Sequence, residues 1–72
     1  MIEVKVRAKG RVIKRVMLFK ERIRVIDVLR YLGLNEEEVI VIDAKKGKML
    51  THDVVLEGDS EIIVYMVYPR EV

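Results

Sequence analysis

The 72-residue chain contains no cysteine and no glutamine, and only one proline, one asparagine and one histidine. Without cysteine there is no disulfide framework, no thiol nucleophile and no thiolate metal site. The lone histidine, His52 in "THD", has Asp53 beside it but no nucleophile near it in the sequence, so it completes no acid–base or nucleophilic set. It reads as a solvated loop histidine. The four glycines stand apart and form no phosphate-binding fingerprint. Asp43 and Asp59 flank glycine-containing turns, where aspartate is favoured for backbone reasons, and Glu36 to Glu38 lack the spacing of a calcium loop. The expectation is a chain that is not an enzyme by itself, with no metal and no cofactor.

Long apolar runs are missing too. The longest, Ile62 to Tyr68, is seven residues, against about 20 for a membrane-spanning helix. The opening "MIEVKV" alternates and has no apolar h-region. A cytoplasmic protein without a membrane role is expected. The scarcity of Gln and Asn beside many Lys, Arg and Glu resembles the usage of thermophile proteins.

What is present is strongly polarised. Hydrophobic residues make up 51% and charged residues 36%, a globular rather than a disordered balance. Residues 1–72 make one domain, small enough that folding buries only roughly 60% of the unfolded surface. The net charge of +2 hides a split: residues 1–34 carry +7 and residues 35–72 carry −5. Either the two halves complement each other in space, or the basic half attracts an acidic partner or a nucleic acid.

"IEVKVRA" sets Ile2, Val4 and Val6 on one face and Glu3, Lys5 and Arg7 on the other, the period of a half-buried strand. "AKGR" is a turn, with Gly10 free to take positive φ. "RVIKRVMLF" follows as a second strand, completing a β-hairpin. In it Val12, Val16 and Leu18 face inward and Ile13, Met17 and Phe19 outward, beside Arg11 and Arg15. A register shift of one residue swaps the two sets. From Val25 the period changes: Val25, Val28, Leu29 and Leu32 form one helical stripe, closed by Gly33 in the position of a left-handed cap. The helix spans about residues 25 to 33. "NEEE" is a polar connection and "VIVID" a buried, β-branched strand. "AKKGK" turns around Gly47, a short strand occupies Lys48 to Leu50, an irregular stretch follows, and "EGD" makes a further turn. "EIIVYMVY" closes the order as a strand, with Ile62, Val64 and Met66 on one face and Ile63, Tyr65 and Val67 on the other.

One helix covers only one face of such a sheet. The order therefore predicts an α+β roll of the β-grasp (ubiquitin-like) type: a four- to five-stranded mixed sheet, its first and last strands parallel neighbours, with one main helix on one face.

The segments "VIDVLRYLGL" and "LEGDSEIIV" carry a resemblance. The first is similar to the V-x-D-L-L-x-x-L-G-L helix of the ThiS and MoaD family of ubiquitin-like sulfur carriers. The second resembles that family's L-x-x-G-D-x-[VI]-x-[IV] segment before the last strand. Hairpin, helix, "VIVID" and "GD" turn come in the family's order over about residues 2 to 67. Three departures stand out: "DAKKGK" is longer than the family's Asn-Gly turn, Leu56 lies two residues before Gly58 where three is common, and the end lacks Gly-Gly. The resemblance implies a terminal glycine carboxylate that a partner enzyme adenylates and converts to a thiocarboxylate, on a tail that threads a narrow channel. Glycines suit that task because they lack Cβ. Here Tyr68, Pro69, Arg70, Glu71 and Val72 stand instead. Proline fixes φ and restricts Tyr68, Arg70 and Glu71 add bulk, and Val72 is β-branched.

The expected function is accordingly a ThiS/MoaD-type, sulfur-carrier-like protein without the activatable end, acting as a protein-interaction module. Its binding residues are Ile13, Met17, Phe19, Ile63, Tyr65 and Val67, an apolar patch rimmed by arginine. The partner is a protein, such as an E1-like adenylating or sulfur-pathway enzyme; the chain itself is a monomer or weak homodimer. Two alternatives stand beside it. One is a genuine sulfur carrier with an atypical C-terminus. The other is an RNA-binding β-grasp (TGS-like) domain using Lys5, Arg7, Arg11 and Arg15 with Phe19 and Tyr65.

Overall fold

The computed structural model describes residues 1–67; the expectations placed on residues 68–72 lie outside the described residues. Seven strands, one α-helix and one 3-10 turn follow in the order β1 (Ile2–Ala8), β2 (Arg11–Leu18), β3 (Arg22–Arg24), α1 (Val25–Leu32), the 3-10 turn Glu36–Glu38, β4 (Val39–Asp43), β5 (Lys48–Leu50), β6 (Val55–Glu57) and β7 (Ser60–Met66). Five strands form a mixed sheet in the order β2-β1-β7-β4-β5, while β3 and β6 form a separate antiparallel ribbon. β1 and β7 run parallel, from Ile2 opposite Ser60 to Arg7 opposite Tyr65, and the other pairs are antiparallel. The architecture is α+β, a five-stranded mixed sheet with one helix.

Strand alternation puts Ile2, Val4 and Val6 of β1, Ile62 and Val64 of β7 and Val41 of β4 on one face. All are buried, together with Leu18, Leu56 and the helical residues Val25, Val28 and Leu29. The expected helical stripe is thus the surface that docks, with Leu32 partly buried at its end. β7 sits at the centre of the sheet, where its neighbours β1 and β4 satisfy both of its edges.

The helix has no side-chain cap at its start. Its first two N–H groups donate to loop carbonyls instead: Val25 N to Val54 O and Ile26 N to His52 O, both 2.9 Å. At its end Gly33 takes φ 71°, and the N–H groups of Gly33 and Leu34 reach back to the carbonyls of Arg30 (3.1 Å) and Leu29 (2.9 Å). This pair of bonds is the Schellman arrangement, which satisfies carbonyls that the helix itself leaves open.

Two features depart from the reading of the sequence. The stretch around Val55, expected to be irregular, pairs with Arg22–Arg24 as the β3–β6 ribbon, with Ile23 opposite Leu56. The second is in β2. Val6 lies opposite Lys14 but Arg7 lies opposite Val12, so Ile13 is an extra, unpaired residue. Such a bulge shifts the alternation of the strand beyond it. Val16 and Leu18 face the core as expected. Val12, expected inward, lies beside Arg7 on the other face and is exposed.

Candidate functional site

Among the described residues the sheet has one face covered and one open. Helix α1, and the β3–β6 ribbon through Ile23 and Leu56, belong to the core face. The opposite face is built from the alternate residues of each strand, and the registers align them in rows across the sheet. Arg15 of β2, Lys5 of β1, Ile63 of β7, Ile42 of β4 and Met49 of β5 make one row. Val12, Arg7, Tyr65 and Ile40 make the next. Met17, Glu3 and Glu61 make a third on the other side.

The chemistry of this face grades from one edge to the other. On β7, β4 and β5 it is apolar: Ile40, Ile42 and Ile63 are half-buried, and Met49 is 66% exposed at the edge. On β1 and β2 it is basic: Lys5 and Arg7 are half-buried and Arg15 is exposed. The guanidinium carbon of Arg7 stands 6.0 Å from the Tyr65 ring centroid, within cation–π reach, and its Nη2 donates to Gly10 O at 3.2 Å. Lys5 Nζ is 4.0 Å from Glu61. A lysine or arginine stem laid along aliphatic neighbours shields part of them while its charged head stays in water.

The six residues expected to bind are thus divided by the fold. Ile63 and Tyr65 lie at the middle of the open face, and Met17 lies on it one row away. Ile13 is the bulge residue and is 54% exposed. Phe19 follows the end of β2 and Val67 the end of β7; Phe19 is 84% exposed. Sequence reasoning missed Ile40, Ile42 and Met49. The available signal was "VIVID": an apolar run at both strand parities means apolar side chains on both faces, and only one face has a helix to cover it.

His52 is held more firmly than a free loop residue. Its Nδ1 is 3.1 Å from Glu36 Oε2, its side chain remains 58% exposed, and its carbonyl accepts from the helix start. Beneath this contact lies a small cleft of about 200 Å³, lined by Val25, Leu29, Val39, Val41 and Leu50. The Asp53 carboxyl is held below the usual carboxylate range, first by a hydrogen bond from the Thr51 hydroxyl. At the helix start Asp27 is likewise held low. Its main cause is the Arg24 hydrogen bond, paired at 3.0 and 3.3 Å, with the Arg24 and Arg30 charges adding to it against some desolvation. Among the described residues no three His, Asp or Glu side chains gather as a metal site, and no helix is long and apolar enough to cross a membrane. No protein-family model matches the chain, and no curated protein matches it.

Proposed function

We propose that the chain is a ubiquitin-like β-grasp protein of the ThiS/MoaD sulfur-carrier type that works as a protein-interaction module through the open face of its sheet. The parallel β1–β7 pair at the middle of the sheet, the antiparallel strands flanking it and the single helix on one face fit a β-grasp roll. The "VIDVLRYLGL" and "LEGDSEIIV" segments support the sulfur-carrier likeness.

The observation that carries the binding role is the pair of adjacent apolar rows, Ile42 with Ile63 and Ile40 with Tyr65, the first continued to Met49, flanked by Lys5, Arg7 and Arg15. An apolar centre with a charged rim is the anatomy of a protein-binding patch. The thioether of Met49 adapts to varied partners. A partner suited to it presents an apolar contact edged by carboxylates, and an E1-like adenylating enzyme is the class proposed. RNA is less well matched: Tyr65 is the sole aromatic in these rows, and the Arg7 guanidinium already lies over it, so a base finds little stacking surface.

The test is calorimetric titration of the chain against an E1-like adenylating enzyme from the same organism. Ile63→Glu and Ile42→Glu place a carboxylate at the centre of the patch, and each is expected to weaken binding by about 2 kcal/mol or more, as for a central interface residue. The variants are checked for native circular dichroism first. Unaltered affinity in both folded variants defeats the proposed surface.

A further inference from the structure

The exposed edge of the sheet carries a second surface. β2 is an edge strand of eight residues, paired among the described residues to β1 alone. In an antiparallel sheet, alternate N–H and C=O groups of such a strand point away from its one neighbour and stay open to pairing. Along it stand Arg11, Lys14 and Arg15, with Lys9 in the preceding turn. None of the four has an ion-pair partner among the described residues. Val12, Ile13 and Met17 are exposed among them.

Lysines and a bulge on an edge strand are ordinary protection against chance pairing. The exposed apolar residues work against that purpose, since they would favour any strand that met the charges correctly. The occupant must therefore satisfy both. A second copy of this chain does not. Two-fold antiparallel pairing of β2 with itself sets residues of the same face opposite each other; centred on Lys14 or on Arg15, it puts that cation directly against its own copy, a like-charge contact that destabilises a strand pair. A nucleic acid would use the cations but leave both the open backbone groups and the apolar residues unused.

We infer that the β2 edge receives an extended acidic segment of another protein, which adds to the sheet as a sixth strand. The regular part of β2 beyond the bulge runs Lys14, Arg15, Val16, Met17 and Leu18. The segment therefore spans about five residues, or roughly 17 Å of strand. Carboxylates fall opposite Lys14 and Arg15, and apolar side chains opposite Val16, Met17 and Leu18. Backbone bonds supply the affinity of such an added strand, and side chains supply its selectivity. The inference shares with the proposed function the premise that the chain binds protein, but it uses the edge rather than the open face.

The probes are two capped peptides, Glu-Glu-Val-Ile-Val and its reverse Val-Ile-Val-Glu-Glu, which cover parallel and antiparallel addition. Binding is followed by amide shifts and amide exchange of the isotope-labelled chain. One of the two is expected to slow exchange of β2 amides and to bind less tightly as salt is raised. An N-methylated version, which lacks the backbone donors, should not bind. Arg15→Glu should weaken binding about tenfold or more by charge opposition, whereas Ile63→Glu on the open face should leave it unchanged. Neither peptide binding overturns the inference. So does binding that shifts only residues around Ile42 and Ile63 and is lost in Ile63→Glu, although the open-face proposal then stands. Steeply salt-dependent binding of an oligouridylate with no peptide binding also overturns it, in favour of a nucleic-acid surface.

Discussion

Lys9 is the one non-glycine residue among those described with a left-handed backbone, at φ 52°, and Gly10 follows at φ 78°. Two consecutive positive φ values between Ala8 and Arg11, which pair across β1 and β2, have the form of a type I′ hairpin turn. Gly10 is suited to this and Lys9 is not, because Cβ crowds the carbonyl in that conformation at roughly 1–2 kcal/mol. Asparagine tolerates it better, since its short polar side chain bonds locally. Lys9→Asn is therefore expected to stabilise the protein by about 0.5–1 kcal/mol. Urea unfolding measures it, with the midpoint rising and the slope unchanged. A lower midpoint would mean that Lys9 makes a compensating contact stronger than its backbone strain.

At the scale of the element, helix α1 begins without a capping side chain, and its first turn depends on the Val54 and His52 carbonyls and on Arg24 held to Asp27. The Asp27 carboxyl sits below its ordinary value of 3.8, mainly through the Arg24 hydrogen bond. A group with a depressed folded pKa adds stability that is complete above its unfolded value and is lost as pH falls through its folded value. Asp27→Asn should therefore destabilise the protein at neutral pH. The gap between variant and wild type should close on acidification below the usual carboxylate range. Urea midpoints across that range measure it, and a gap that stays constant with pH would show that the pair contributes no pH-linked stability. The same element shows why sequence was a good guide in some places only. The i, i+3, i+4, i+7 stripe and Gly33 act within a few residues, so the helix was legible, as was β1 from its strict alternation. β3 and β6 are three residues each, too short to display a period, and exist because they pair with each other. The Ile13 bulge was invisible for a related reason: it is a property of the β1–β2 pair, and it turned Val12 to the opposite face. Of the open face, Ile63, Tyr65 and Met17 were found by alternation, while Ile40, Ile42 and Met49 required knowledge of which face the helix leaves bare.

Over the whole molecule, the split of charge along the chain is resolved only in part by folding. Lys5 meets Glu61 across β1 and β7, and Arg22 meets Glu57 across the ribbon at 3.2 Å, so cations of the first half do find acids of the second. The β1–β2 hairpin keeps its own excess because it lies at the far edge of the sheet from β4 and β5. The same strand order governs local stability. β1 and β7 contribute Ile2, Val4, Ile62 and Val64, all fully buried, and each is bonded on both sides. β5 pairs through three residues at one edge, and among the described residues the β3–β6 ribbon has no third strand. Amides open with free energies that follow burial and bonding rather than one global value. Native-state hydrogen exchange should therefore be slowest in β1 and β7, intermediate in α1 and β4, and fastest in β5 and the ribbon. The β2 edge should exchange faster than β1 despite its greater length, since half of its backbone groups face solvent. If β5 and ribbon amides were as slow as those of β7, the sheet would open only as one unit. The edges would then not be the low-stability parts of this fold.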